Sequence, residues 1–453
     1  MRICYYGDDF TGSTDVLEAL TVGGLRMILF MDVPDAAMWN EKFSGYDGFG
    51  VAGVSRTFGS VEMERELRPK LQAIHQFQAS ITHYKVCSTF DSSPDTGSIG
   101  KVIEIGSELF TEQRYVPVVA GCPLLKRYTV FGNHFTGLGD GTIRLDRHPN
   151  MSSHPITPMN EADLRLHLAE QTGLSIGLID ILDLGLDPAE LQKRYEEQLD
   201  NKSDIVLFDV VTEEHLVKIG RLLTLESERT PMFAVGSSGL EYALVAYWRH
   251  MDILPKEPTR QTAEPVDRML VISGSCSPVT EAQITWAMKH GYEAIRIPVT
   301  FLLDEAANEL ALLCEQAENL LREGRHVILY TALGPQDTSI QEVRQHLKAG
   351  EQSTAASGQL IGMQLGELAK RLVLSTGIKR VIFAGGDTSG FALSQLDSYA
   401  LELVAPIVPG GPLCKMFSRD ERLNGLEIVL KGGQVGPPQF FEQVRTGCKE
   451  LEA

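Results

Sequence analysis

The sequence predicts an α/β protein of two domains, each built on a mainly parallel or mixed sheet, with the active site in the cleft between them. Three observations carry this prediction. Short apolar runs alternate with helix-length amphipathic stretches, the signature of strands joined by helical crossovers. A polar, proline-bearing stretch from Leu254 to Asp267 interrupts the alternation, which then resumes. The 453 residues exceed what one ordinary hydrophobic core serves. The expected boundaries are 1–255 for the first domain, 256–267 for the linker and 268–453 for the second domain.

Taken in order, the first domain opens with a strand at Arg2 to Tyr6, a turn at Gly7 to Gly12, and a helix over Ser13 to Val22. Thr11, Ser13 and Thr14 are its candidate caps. Further strands are expected at Met27–Met31, Gly48–Val54, Ile81–Val86, Val116–Ala120, Ile176–Asp180, Ile205–Asp209 and Met232–Val235. Helices are expected at Val61–Gln78 and Asp187–Leu199, the latter opening on a capping Asp187 followed by Pro188. Gly132 to Asn160 is rich in Gly, His, Pro and Asp and reads as a long binding loop. In the second domain, Arg268–Ser273, Ala294–Pro298, His326–Thr331 and Arg380–Ala384 read as strands.

Composition narrows the function. The chain is 43% hydrophobic and 22% charged, within the globular range, and no apolar run is long enough to span a bilayer. The N-terminus meets Asp8 and Asp9 where a signal peptide would need an apolar core, so a cytoplasmic location is expected. Sixty acids against 41 bases give a formal charge of −19, without the basic face a nucleic-acid partner needs. The seven cysteines are odd in number and widely spaced, which fits reduced thiols.

Small-residue turns supply the chemistry. Gly274-Ser-Cys-Ser277-Pro278 follows one strand, with a helix expected from Thr280. Gly385-Gly386-Asp387-Thr388-Ser389-Gly390 follows another, with a helix expected from Phe391. Lys431-Gly432-Gly433 follows a third, and Pro409-Gly410-Gly411-Pro412 adds a fourth loop. Glycine lets backbone N–H groups approach an anion, a following helix adds its positive end, and Ser or Thr adds donors. One such turn is weak evidence; three at strand ends in one domain point to a nucleotide. Neither the P-loop nor the dinucleotide fingerprint is present.

The first half suits a polyhydroxylated anion. Asp8 and Asp9 end a strand, so one can serve as base or bind hydroxyls while the other caps the helix. Lys85 ends another strand and can pair with a carboxylate. The loop Arg147-His148-Pro149 to His154-Pro155 carries a guanidinium, two imidazoles and hydroxyls, without the spacing of a metal pair.

Taken together, these motifs resemble the four-carbon acid sugar kinase family over nearly the whole chain. The matching stations are Asp8-Asp9-Phe10-Thr11-Gly12, Lys85 with Ser88-Thr89, Thr157-Pro158-Met159, Gly236-Ser-Ser-Gly-Leu240, Gly274-Ser-Cys-Ser277, Gly385 to Gly390, and Lys431-Gly432-Gly433. The resemblance implies ATP-dependent phosphorylation of the terminal hydroxyl of 3-oxo-tetronate, threonate or erythronate, with magnesium, and with branched 3-oxo-isoapionate as the alternative. It implies that Ser275, Ser277, Gly385, Gly386, Asp387, Thr388, Gly410, Gly432 and Gly433 hold ATP. It places Asp8, Asp9, Thr11, Lys85, Ser88, Asp91, Arg147, His148 and His154 at the acid, with Asp9, or else Asp8, as the catalytic base. No residue is assigned to a resident metal, and the oligomeric state stays open, a homodimer being one option.

The family's usual Thr-Asp-Ser-Thr-Leu-Arg-Gly is here Val86-Cys-Ser-Thr-Phe-Asp91, a form that resembles the 3-oxo-tetronate branch. The rival readings are an NAD-dependent oxidoreductase, which would carry the missing fingerprint, and an acid-sugar sensor, which would not need the glycine turns.

Overall fold

The computed structural model describes residues 1–139, 141–154, 156–257, 262–298, 307–342 and 354–447, and of residues 307–310, 354–357 and 387 the backbone alone. Two compact units divide between residues 259 and 260. Among the described residues no helix is long and apolar enough to cross a membrane. Cys4, Cys87, Cys122, Cys276, Cys314 and Cys414 are free thiols, and Cys448 lies outside the described residues.

The first unit contains strands β1 (Ile3–Gly7), β2 (Met27–Phe30), β3 (Gly48–Ala52), β4 (Ile81–Lys85), β5 (Val116–Val119), β6 (Arg127–Val130), β7 (Asn133–Leu138), β8 (Gly141–Arg144), β9 (Ile176–Ile179), β10 (Ile205–Phe208) and β11 (Met232–Gly236). Eight of them form a parallel sheet in the order β2-β3-β1-β4-β11-β5-β10-β9. Runs such as Ile28-Leu29 and Val206-Leu207 are buried on both faces, as crossover helices require. The chain leaves β1 for β2 on one side and returns as β4 on the other. The crevice beyond the ends of β1 and β4 is therefore a topological switch point, where α/β sheets bind ligands.

Helix α1 (Phe10–Gly23) starts earlier than the hydroxyl residues suggested. Asp9 is its cap, accepting from the Gly12 N–H at 2.7 Å, and α1 packs Val16, Leu17 and Leu20 into the core. A carboxylate at this position satisfies an orphan donor and faces the positive helix end. Asp187 caps its helix as expected, accepting from the Ala189 and Glu190 N–H groups. The helix expected at 61–78 is an α-turn, a π segment at Met63–Leu67 and a helix at Arg68–His75; the missing N–H of Pro69 removes the regular ladder there.

The stretch Gly132–Asn160 is not one loop. β6, β7 and β8 form an antiparallel meander that begins before it, at Arg127, and fills its first half. Buried Thr129 bridges to Val210 and buried His134 bonds the Ser88 carbonyl at 2.9 Å, which ties the meander to the unit. Short strands of mixed polarity lack the alternation that marks a half-buried sheet, so composition alone does not distinguish them from loop.

The second unit contains β12 (Leu270–Ser273), β13 (Tyr292–Arg296), β14 (His326–Tyr330), β15 (Arg380–Ala384), β16 (Ser398–Ala405), β17 (Leu413–Ser418) and β18 (Glu427–Lys431), in the order β13-β14-β12-β15-β18-β17-β16. The first five of that order are parallel, and β17 runs antiparallel to both its neighbours, so this sheet is mixed. Met269, Val271, Ile284, Ile328, Ile382, Val429, Phe440 and Phe441 build its core, each worth about 1.5–3 kcal/mol of apolar burial. Helix α2 (Pro278–Lys289) follows β12, capped by Ser277 with Pro278 at its first position. Helix α3 (Gly386–Ser394) follows β15 directly, five residues before the expected start, so Gly386 to Gly390 are helical.

Candidate functional site

In the first unit, Asp8 and Asp9 continue from β1 and Arg56 sits on the turn after β3. The Asp8 N–H donates to the Lys85 carbonyl at 2.9 Å and the Arg56 N–H to the Asp8 carbonyl at 3.1 Å, so β-ladder bonding places all three. Arg56 grips Asp8 with both arms, Nε at 3.1 Å and Nη2 at 2.8 Å, and reaches Asp9 with Nη1 at 2.9 Å. Burial pushes the Asp8 carboxyl up, against the pull of Arg56. Burial also works against the Arg56 guanidinium, and Asp8 and Asp9 among its neighbours more than offset this, holding it charged. Both Asp8 oxygens are committed. The Asp9 side chain keeps 28% of its surface exposed.

Lys85 is 3% exposed. Its ammonium donates to the Val86 carbonyl at 2.9 Å and lies 3.9 Å from an oxygen of Asp15, on α1. Burial disfavours its charge, yet Asp15, Asp8 and Asp9 raise its pKa above the ordinary value. Asp15 is itself pushed up by burial, opposed by Lys85 and by a hydrogen bond from Ser238. Lys85 is therefore already matched by acids of the protein, unlike a waiting carboxylate clamp. Just beyond, Thr89 donates to Asp91 at 2.6 Å, and Asp91 is held below its usual range although burial opposes this, with Arg56 the leading contribution.

The other expected residues fall outside this group. Thr11 is half-buried in the first turn of α1. The Ser88 carbonyl accepts from His134, whose burial lowers its pKa to about 4. His148 and His154 use their Nδ1 atoms as acceptors for the N–H groups of Asn150, Met151 and Thr157, closing local turns. Arg147 has a side chain 72% exposed, 3.6 Å from Asp146. Sequence reasoning missed Arg56, Asp15 and Arg127. The last lies at the start of β6, its Nε buried and without a hydrogen-bond partner.

In the second unit the three glycine turns meet because β12, β15 and β18 are neighbours in the sheet. The Gly274 N–H donates to the Ala384 carbonyl and the Gly385 N–H to that of Lys431. A Cβ on Gly385, whose φ is +143°, would meet Thr388 Oγ1 at 2.3 Å; one on Gly433 would fall 3.0 Å from Ser275 Oγ. A Cβ on Gly274 would fall 3.0 Å from Thr388 Oγ1, so Thr388 packs against the turn after β12. Gly385 offers α3 no side-chain cap, and a Cβ on Gly386 would meet nothing within 4 Å. Gly410 borders this group through Val435. Gly432 lies between Lys431 and Gly433, and the side chain of Asp387 lies outside the described residues.

Beneath this cradle lies Lys431, 0% exposed, with Nζ 3.1 Å from Thr280 Oγ1. Burial lowers its pKa to about 8, and among the described residues no acid pairs with it. An ammonium only donates, so Thr280 accepts from it. The Thr280 hydroxyl lies 3.0 Å from Ser275 Oγ, to which it can donate, while Ser277 donates to the Gly433 carbonyl. This chain leaves the Ser275 hydroxyl hydrogen as a donor at the cradle surface. Uncapped helix N–H groups, a polarised hydroxyl and a buried cation without a counter-charge are groups that can together hold a polyphosphate.

Two α/β units, one with acids poised at a switch point and one with an anion cradle, define a group-transfer enzyme. The chain matches a sugar-binding N-terminal domain over residues 3–244 and a nucleotide-binding C-terminal domain over residues 270–441. It is 43% identical over 449 residues to the 3-oxo-isoapionate kinase of Paraburkholderia graminis, covering 99% of this chain and 94% of that protein. It is 28% identical over 437 residues to a 3-oxo-tetronate kinase of Pseudomonas savastanoi pv. phaseolicola, covering 96% and 94%. The fold matches that of a Salmonella typhimurium LT2 protein described as a tRNA synthase, at a TM-score of 0.80 with 23% identity over 98% of each chain. It also matches a Haemophilus influenzae protein at 0.77, with 22% identity over 98% and 100%. The chain belongs to the four-carbon acid sugar kinase family, phosphotransferases with an alcohol group as acceptor.

Proposed function

We propose that the protein transfers the γ-phosphoryl group of ATP to the terminal hydroxyl of a short sugar acid. 3-Oxo-isoapionate is the leading acceptor and 3-oxo-tetronate, threonate and erythronate its competitors. The observation that carries the donor half is the cradle with its uncompensated Lys431. The order of acceptors follows the greater identity to the 3-oxo-isoapionate kinase than to the 3-oxo-tetronate kinase.

Asp9 takes the proton of the attacking hydroxyl. That oxygen forms a bond to the γ-phosphorus, the bond to the bridging oxygen breaks, and ADP leaves. Asp9 suits this role because it is accessible, while Arg56 and the Gly12 N–H fix its orientation. Asp8 anchors Arg56. The N–H groups of Gly386 and Thr388, with the hydroxyl of Ser275, hold phosphate oxygens, while Ser277 caps α2 and ties the first turn to Gly433. Magnesium fits as part of the nucleotide complex, since the cradle offers hydroxyl and backbone groups to a phosphate-bound ion.

A coupled ADP-release assay across the four acids tests the reading. Turnover with at least one acid is expected, and no turnover with any overturns it. Gly433→Ala is expected to raise the KM for ATP about tenfold, because the new Cβ displaces the Ser275 hydroxyl. The KM for the acid should stay unchanged, which steady-state kinetics measures.

A further inference from the structure

We propose that Arg127 is the carboxylate-binding residue of the acid site, and so the group that selects acids over uncharged sugars. The inference deepens the acid-sugar reading above and rests on it.

Asp8, Asp9, Asp15 and Asp91 bring four carboxyl groups to the group after β1 and β4, against two cationic side chains, Arg56 and Lys85. Arg56 is gripped by Asp8 and Asp9, and Lys85 is held by Asp15. An anionic ligand is repelled by such a cluster unless it meets a cation that the protein has left unmatched. Arg147 is exposed and lies next to Asp146.

Arg127 meets the requirement. Among the described residues no acid pairs with it; Nη1 donates to the Leu125 carbonyl at 2.9 Å, and the buried Nε has no partner. The titratable groups close enough to interact with it are Cys87, Cys122, His134 and His148. Burial keeps the two thiols protonated, with pKa values of about 11, and burial followed by Arg127 itself lowers His148. None supplies a negative charge near neutral pH. A guanidinium with one buried donor idle, among neutral neighbours, is incomplete without an anion.

Its position fits the ligand. Arg127 exchanges backbone hydrogen bonds of 2.9 and 3.0 Å with Cys122, which follows the end of β5 and interacts with Asp15 and Lys85, while Cys87 follows the end of β4 and interacts also with Arg56 and Asp9. Arg127 therefore stands at the same crevice as the proposed base. The planar fork suits a carboxylate, which accepts two parallel N–H bonds. An acid held there by its carboxylate can present its far hydroxyl to Asp9.

The test is calorimetric titration of wild type, Arg127→Met and Arg127→Lys with 3-oxo-isoapionate, with threonate, and with erythrulose, an uncharged four-carbon ketose. Arg127→Met is expected to weaken binding of the acids by about 10–100-fold, the loss of a charged hydrogen-bonded pair. Arg127→Lys should fall between, since it keeps the charge without the fork. Erythrulose and ATP should bind wild type and both variants alike. Unchanged acid affinity in Arg127→Met overturns the proposal, as does an equal loss for acid and erythrulose, which marks a structural role. Failure of the wild type to bind either acid also overturns it. Turnover is read separately. Acid binding lost in the variant with no turnover by wild type sinks the kinase reading alone; turnover with unchanged variant affinity sinks the carboxylate site alone.

Discussion

Asp9→Asn lowers kcat by on the order of 10²–10⁴-fold if this carboxylate accepts the hydroxyl proton, the usual contribution of a positioned base. The substitution is selective. The asparagine side-chain oxygen can still accept the Gly12 N–H and keep α1 capped, and Arg56 retains its two-armed grip on Asp8. What disappears is the oxygen able to take a proton. Steady-state kinetics should therefore show the loss in kcat with KM values changed little, while the melting temperature moves by only a few degrees. Near-normal turnover in a folded variant would transfer the role elsewhere, with Asp15 the next carboxylate to test, since it lies beside Lys85 and outside the grip of Arg56.

Lys431→Met has the second large effect, and it splits stability from binding. Burial holds the Lys431 pKa at about 8, against about 10.4 in an unfolded chain. Below pH 8 both states are protonated and the folded state carries the full cost of burying the charge, about 3 kcal/mol for a shift of this size. Between pH 8 and about 10.4 the unfolded chain binds more protons than the folded one, so wild-type stability rises with pH across that window. Methionine removes the buried charge. The nucleotide-free variant should be more stable than wild type at pH 7 by up to about 3 kcal/mol, with the difference shrinking above pH 8. ATP affinity should fall about 10–100-fold, because Thr280 and Ser275 lose the cation that polarises them. Denaturant melts at several pH values and calorimetric titration of ATP check both halves. Lower stability with unchanged ATP affinity would make Lys431 a structural residue.

The parts legible in the sequence and the parts that were not separate along physical lines. Apolar runs such as Val381-Ile-Phe and Val116-Pro-Val-Val announce strands because burial on both faces demands them. Asp187-Pro188 announces a helix because cap and first-turn preferences are local. The glycine turns were visible, but not that α3 begins at Gly386; glycine signals a turn, and only the uninterrupted ladder after β15 shows it starting a helix. Asp8, Asp9 and Asp91 stood out beside recognisable turns. Arg56, the cation paired with Asp8 and Asp9, did not, because it lies 48 residues from Asp8, and Arg127 opens a strand with no motif around it. Lys85 drew attention as a lone cation at a strand end, yet its matching acid, Asp15, sits on a helix seventy positions earlier in the chain. Through-space charge pairing leaves no local pattern, so the fold could be read further than the site.

The central claim is transfer of phosphate to a primary alcohol of a sugar acid, and phosphorus NMR of the completed reaction tests it most directly. With wild-type protein, magnesium ATP and 3-oxo-isoapionate, the account predicts ADP together with a new phosphomonoester signal split by the adjacent methylene protons. ADP accompanied by inorganic phosphate alone would contradict it, since the cradle would then serve hydrolysis and the carboxylates of the first unit would not be holding an acceptor.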